Sequence, residues 1–194
     1  MQMSKGNPLM QQPGSPPKLA SLASPEMRKT LALLGGFCLF LSTIEYMIPK
    51  PIPAMRIGIA NLPLMLALDI VPFPAFLVLA GIKVLGQALI IGTLFSPIFL
   101  FSFASTSLSA LSMFALRRLL GSGRITLVGI GAAGAMASSV SQMVMAYFIL
   151  GSGVRFMIPF FLGAALVTGI ALGFFCELFI RRSQWYASRK ARFT

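Results

Sequence analysis

Apolar runs of about bilayer length follow one another through this chain with hardly a polar stretch between them. They fall at about residues 30–48, 55–72, 74–95, 97–116, 125–150 and 156–180. Roughly 20 residues of helix are needed to cross the hydrocarbon core, so the second run is marginal and the other five are sufficient. Composition agrees. The 194 residues are 57% hydrophobic and only 10% charged, with mean hydropathy +0.87, whereas soluble domains carry about a quarter charged residues. A water-soluble chain this short could not hide so much apolar surface, and the bilayer must be its solvent. The expected fold is all-α: a polytopic membrane protein of six transmembrane helices.

The breaks between runs have mechanisms. Pro49, Pro51 and Pro53 end the first span, and Pro72 and Pro74 separate the second from the third, because proline removes a helical hydrogen bond and restricts the residue before it. "FSP" at 95–97 predicts a tight turn, "RRLLGSGR" at 117–124 a charged loop and "GSGVR" at 151–155 a glycine loop. Residues 1–27 are rich in Pro, Ser, Gly and Gln without periodicity and read as a mostly disordered cytoplasmic tail. The first apolar run follows Arg28 and Lys29 but exceeds a signal-peptide core of about 7–15 residues, and no small-residue cleavage site follows it. It should stay in place as a signal anchor. Three regions result: the tail 1–27, a membrane domain 28–182, and a basic cytoplasmic tail 183–194.

Net charge is +12, from 16 Lys and Arg against four acids. A nucleic-acid binder would gather that charge on a folded polar face, whereas here it clusters in tails and short loops, and no nucleic-acid partner is expected. With both termini in the cytoplasm, the inside holds Lys5, Lys18, Arg28, Lys29, Arg117, Arg118, Arg124, Arg181, Arg182, Arg189, Lys190 and Arg192. The outside holds Lys50, Arg56 and Arg155, and Lys83 falls within a span. This is the positive-inside signature of a multi-pass protein of the cytoplasmic membrane. Cys38 and Cys176 lie within apolar runs, have no CxxC partner and read as small core residues.

The interior of the bundle is partly legible. Small residues recur at spacing four: Ala32 and Gly36 in the first span, Gly129, Ala133 and Ala137 in the fifth, Ala165, Gly169 and Gly173 in the sixth. Such ladders let helix backbones approach closely in lipid. For the last two spans internal packing is the expectation; for Ala32 and Gly36, packing and the docking of a partner helix both stand. Ser102, Ser105, Ser109 and Ser112 place four hydroxyls on one helical face, either bonding back to their own helix or lining a cavity. Ser138 and Gln142 give the fifth span a comparable stripe. Lys83 lies too deep to snorkel easily, where a charge is costly unless paired or hydrated. Its candidate partners are Glu45, Asp69 or a bound anion.

Catalytic chemistry finds little support. There is no histidine, which removes His-based triads and histidine metal sites. Glu26, Glu45, Asp69 and Glu177 are isolated, so no acidic cluster holds Mg²⁺ on a diphosphate. "GIGAAGA" at 129–135 follows no strand and reads as packing, and no phosphate-binding loop for ATP is present. Arg117, Arg118 and Arg124 fix topology or touch lipid headgroups. The expectation is a protein that is not an enzyme and carries neither cofactor nor metal.

The stretch "IEYMIPKPIPAMRIGIANLPLMLAL" at 44–68, with "GTLFSPIFLFSFASTSLSALSM" at 92–113, resembles the Gx transporter family, also labelled heptaprenyl diphosphate synthase component I. That family is similar to the substrate-binding S-components of energy-coupling-factor (ECF) transporters. The element P-x-P-x-x-R-x-G-x-A-N is matched by Pro51, Pro53, Arg56, Gly58, Ala60 and Asn61, and G-T-L-F-S-P by residues 92–97. One departure is visible: a His-Asn pair common before the span-five glutamine is replaced here by Ser138 and Ser139. The resemblance covers about residues 30–180. It implies an S-component-like six-helix bundle with substrate near the outer face, under the loop joining spans one and two. It also implies that Ala32-x-x-x-Gly36 meets a coupling subunit served by separate ATPases.

Together these readings give a substrate-binding uptake component for a small anionic, isoprenoid or vitamin-like molecule. Lys50, Arg56, Asn61, Lys83, Ser138, Gln142 and Arg155 are its candidate binding residues, and Ala32 and Gly36 its docking residues. Pro49, Pro51 and Pro53 would pre-fix the backbone around the ligand. Two alternatives stand beside this one. The first is a non-catalytic accessory subunit of polyprenyl diphosphate synthesis; the second is an ion-coupled carrier titrating through Lys83, Glu45 and Asp69.

Overall fold

A computed structural model of the protein describes residues 24–48, 58–121 and 124–193. All regular structure among them is helical. Helices α1 (Pro25–Met47), α3 (Phe73–Ile91), α4 (Pro97–Leu120), α5 (Leu127–Leu150) and α6 (Ile158–Arg182) are long; α2 (Leu62–Ala67) and α7 (Gln184–Phe193) are short. The five long helices have the length and hydropathy of membrane spans. Their caps follow from sequence: Ser24, Ser96 and Thr126 each accept a backbone N–H of the first turn with the side-chain oxygen, and proline occupies an opening position of α1, α3, α4 and α6. Helix α1 begins at Pro25, three residues before the expected start of the membrane domain at residue 28. The remainder of the N-terminal tail lies outside the described residues.

Surface and interior are distributed as lipid requires. Leu33, Phe40, Leu77, Leu89, Phe103, Val144, Phe148, Val167, Phe174 and Phe175 are exposed, while Lys83, Glu45, Asn61, Ser105, Thr106 and Gln142 are buried. A soluble protein inverts this arrangement. The chain is an all-helical, multi-pass membrane protein.

The second expected span takes a different form. In place of a helix over 55–72, the described part consists of a 3-10 turn at Ile59–Asn61, the six-residue α2, and turns to Val71. It still carries the chain from one end of the bundle to the other. Side chains of α1 and α3 meet in parallel register, since Gly35 abuts Ile82 and Leu79 while Gly86 abuts Leu39. Two consecutive parallel helices require a return pass between them. Gly58 and Ala60 bond to Glu45 near the end of α1, and Asp69 bonds to Arg117 in the last turn of α4. The return pass is short and irregular because it is enclosed: Ala60, Asn61, Pro63 through Leu68, Ile70 and Val71 are all buried. Backbone that departs from long helix is tolerated at membrane depth only where protein surrounds it.

The other helices alternate in direction. Close approach of α5 and α6 depends on glycine, as the sequence ladders indicate, with one change of register. Buried Ala165, Gly169 and Gly173 form the α6 face, but the α5 face is Val128, Gly131 and Ala135 rather than Gly129, Ala133 and Ala137. A Cβ at Gly131 would lie 2.5 Å from the Gly169 carbonyl oxygen, and one at Gly173 would lie 2.7 Å from that of Leu127. Neither backbone could yield without separating the helices.

At one end, here termed the basic end, the starts of α1 and α5, the finish of α4 and helix α7 converge. Arg117 binds Asp69 in bidentate fashion, its Nε donating at 2.6 Å, and also donates to the Ile125 carbonyl. Lys190 lies 3.9 Å from Asp69, and Arg189 lies 2.6 Å from Glu26. Tyr186 of α7 is buried, and burial, reinforced by the nearby Asp69 charge, raises its hydroxyl well above the ordinary phenol range. The start of α1 and helix α7 therefore meet at the same end, consistent with an even number of passes.

Gly173→Leu should cost more than the roughly 1–3 kcal/mol typical of overpacking. It should lower the detergent melting temperature markedly, whereas Gly163→Leu on the same helix should not, because a Cβ there meets nothing within 4 Å. Equal melting of the two variants would show that close α5–α6 approach does not hold the bundle together.

Candidate functional site

Toward the opposite, distal end, a polar cavity is enclosed by α1, the 58–61 turn, α3, α4 and α5. Its lining is Glu45, Gly58, Ala60, Asn61, Lys83, Gln87, Ser105, Thr106 and Ser138. Measured as space open to the centre of a water molecule, it holds about 20 Å³. That admits a water or two but no metabolite, so this conformation is closed.

Each polar group is placed by local structure. Glu45 sits one turn from the end of α1, where the helix dipole disfavours an anion. Its carboxylate accepts the Gly58 N–H at 2.9 Å and the Ala60 N–H at 3.1 Å, clasping the return segment to α1. Gly58 makes the clasp possible: its φ of +86° is left-handed, a conformation that a side chain would strain. Three residues further on, the Asn61 side-chain oxygen accepts from the Lys83 ammonium. Lys83 lies near the middle of α3 at 4% exposure, and Gln87, four residues on, continues the same face into the cavity. The clasp therefore assigns a physical task to each described position of the G-x-A-N element: a left-handed turn, an N–H donor and a side-chain acceptor.

The structure brings some of the residues singled out from the sequence together and separates others. Asn61, Lys83 and Ser138 line one cavity. Gln142 is buried one turn further along α5 and donates to Ser138 Oγ at 3.1 Å. Lys50 and Arg56 lie outside the described residues. Arg155 is exposed in the 3-10 segment Gly151–Met157 between α5 and α6 and is not part of the cavity wall. Asp69 does not partner Lys83, because its carboxylate is held by Arg117 and Lys190 at the basic end. Glu45 does share the cavity with Lys83. Ala32 and Gly36 are exposed on α1, and a Cβ at Gly36 meets nothing within 4 Å, so among the described residues neither is spent on packing. Sequence reasoning passed over Gln87 and Thr106. Helical spacing could have found both, since Gln87 follows Lys83 by four and Thr106 follows Ser102 by four.

A family profile described as heptaprenyl diphosphate synthase component I matches residues 34–179. The chain belongs to the heptaprenyl diphosphate synthase component I family. The matched stretch contains every cavity residue named above. No curated protein and no solved structure matches the chain.

Glu45→Ala leaves the buried Ala60 N–H without an acceptor, at about 1–3 kcal/mol, and the half-buried Gly58 N–H at less; Glu45→Gln retains one acceptor oxygen. Unfolding titrations in mixed detergent micelles should rank parent above Glu45→Gln above Glu45→Ala. An alanine variant as stable as the parent would mean that the clasp contributes nothing to the fold.

Proposed function

We propose that this family member is a non-catalytic membrane component that binds a small anionic solute in the Lys83 cavity and takes part in its transport. The observation that carries this reading is Lys83 itself. A cation at 4% exposure in the middle of a membrane helix costs several kcal/mol unless the protein uses it. Here it stands in a cavity wall supplied with the amides of Asn61 and Gln87 and the hydroxyls of Ser105, Thr106 and Ser138. Glu45 also borders the cavity, with its carboxylate oxygens turned to the Gly58 and Ala60 N–H groups. The closed cavity implies that the solute is admitted by movement of its walls. The 58–61 turn is the natural moving part, held by a few polar bonds rather than by a helix-length interface.

Energy for transport would come from other subunits. Ala32 and Gly36, with exposed Leu33, Phe37 and Phe40 around them, support a docking surface for a coupling helix facing the membrane, and ATPases would bind that partner. Both termini would lie in the cytoplasm, at the basic end, where Arg118, Arg124, Arg181 and Arg182 are exposed. The family description favours a second reading, a membrane accessory of polyprenyl diphosphate synthesis, in which the cavity would receive a diphosphate headgroup and the partner would be a soluble synthase.

Native mass spectrometry of the gently purified protein separates these readings. A small-solute adduct with co-purifying ATPases supports transport; prenyl lipid with a synthase supports the accessory role. Loss of one charge-assisted hydrogen bond removes roughly 1.5–3 kcal/mol, so Lys83→Met should weaken adduct retention by about tenfold or more, and Lys83→Arg by less. An adduct retained in full by Lys83→Met removes the cavity from the account. Ala32→Leu combined with Gly36→Leu should release the membrane partner while the adduct stays bound. A partner that remains would place docking elsewhere.

A further inference from the structure

The cavity wall does not account for every buried polar group near it. Several hydroxyls within the described helices bond back to their own backbone: Thr30 to Glu26, Thr43 to Leu39, Ser105 to Ser102, Ser112 to Ser109, Thr168 to Ala164 and Ser188 to Gln184. That local bond is the inexpensive solution for serine or threonine in a membrane helix. Ser42 Oγ and Ser109 Oγ do not take it. Both are buried, at 1% and 0% exposure, and neither has a hydrogen-bond partner among the described residues.

A third buried hydroxyl without a partner among the described residues, Tyr186 Oη, belongs to α7 at the basic end, whereas these two lie near the cavity. Ser42 lies on the buried face of α1 that also carries Cys38 and Glu45, one turn from the clasp. Ser109 lies on the buried face of α4 that carries Ser102 and Ser105, one turn from cavity residues Ser105 and Thr106. Two unsatisfied hydroxyls, on two different helices and each adjacent to the same polar cavity, carry a desolvation cost of about 1–3 kcal/mol apiece. Packing cannot explain them, because alanine would fill either place without that cost.

We infer that Ser42 and Ser109 are solute-contacting residues, which extend the binding site one turn beyond the closed cavity and find their partners when it opens to its anionic ligand. This inference rests on the proposed binding function. It assigns to these serines the role of recognising acceptor oxygens of the ligand, alongside Lys83.

Cysteine accessibility tests the inference without knowledge of the ligand. In a Cys38→Ala, Cys176→Ala background, thiols are placed singly at Ser42, Ser109 and Ser138, and at lipid-facing Val144 as control. Membrane vesicles are then treated with anionic sulfonatoethyl or cationic trimethylammonioethyl methanethiosulfonate. The expected result is labelling at 42, 109 and 138 and none at 144. The anionic reagent should be favoured by roughly tenfold through the field of Lys83, and Lys83→Met should abolish that preference. Labelling at 138 alone overturns the inference and leaves the proposed site standing. Silence at all three positions, or preference for the cationic reagent, overturns the proposed site itself. Thermal melting supplies an independent check that needs no thiol: Ser42→Ala and Ser109→Ala should melt at or above the parent temperature. A clear fall in either would show that the hydroxyl has a structural partner, and would overturn the inference for that residue.

Discussion

The contact between the Lys83 ammonium and the Asn61 side-chain oxygen joins the two least lipid-compatible parts of this molecule. One is a cation in the middle of a membrane helix; the other is a return pass too short to be a spanning helix. Each is untenable alone. The cation needs an acceptor at membrane depth, and the return pass needs enclosure and partners for its exposed backbone groups. Burying the pass beside Lys83 meets both requirements, and the Glu45 clasp completes the arrangement by taking the Gly58 and Ala60 N–H groups. Three polar bonds thereby substitute for the hydrophobic driving force that would position such a segment in water. That force is weak between helices in lipid, where tails are as apolar as leucine.

The same constraint explains what could be read from the sequence. Five spans were legible because lipid demands long apolar helices, and proline, glycine and arginine mark their ends. The second span was not, because length and hydropathy report what a segment could do in lipid rather than what encloses it. Pro63 and Pro72 disrupt the run, but only tertiary contacts show that Leu64 to Leu68 face protein. Ladders of small residues identified α5 and α6 as close neighbours; the register on α5 was missed because Gly129 and Gly131 lie two apart and only geometry selects between them. In the site, Lys83, Asn61 and Ser138 were recognisable as polar groups in apolar surroundings. Their assembly was not, since Asn61 and Lys83 approach each other through a change of chain direction.

Charge placement illustrates the limit most clearly. From sequence, Glu45 and Asp69 were equivalent candidates to balance Lys83, both being isolated acids within apolar runs. The structure sends them to opposite ends of the return pass. Asp69 is bound by Arg117 and approached by Lys190, within the group of ion pairs that fastens α7 and the start of α1 to the basic end. Glu45 is satisfied by backbone at the distal end, beside the cavity. A bundle of this size cannot satisfy several charges at a single level in lipid, so charges that face no ligand are carried to the end where basic residues and headgroup water are available.

That division bears on the remaining alternative. An ion-coupled carrier working through Lys83, Glu45 and Asp69 would need the three groups to exchange protons or ions within one compartment. Asp69 belongs to a different one, and its ion pairs hold α4, α7 and the return pass together. Removing a partner from such a largely buried pair costs about 3–5 kcal/mol, so neutralising Asp69 during each cycle would loosen the end of the bundle that anchors the return pass. Lys83 and Glu45 remain at the cavity, but both Glu45 carboxylate oxygens are engaged by the Gly58 and Ala60 N–H groups, so Glu45 serves the return pass and the three groups do not form one relay across the membrane.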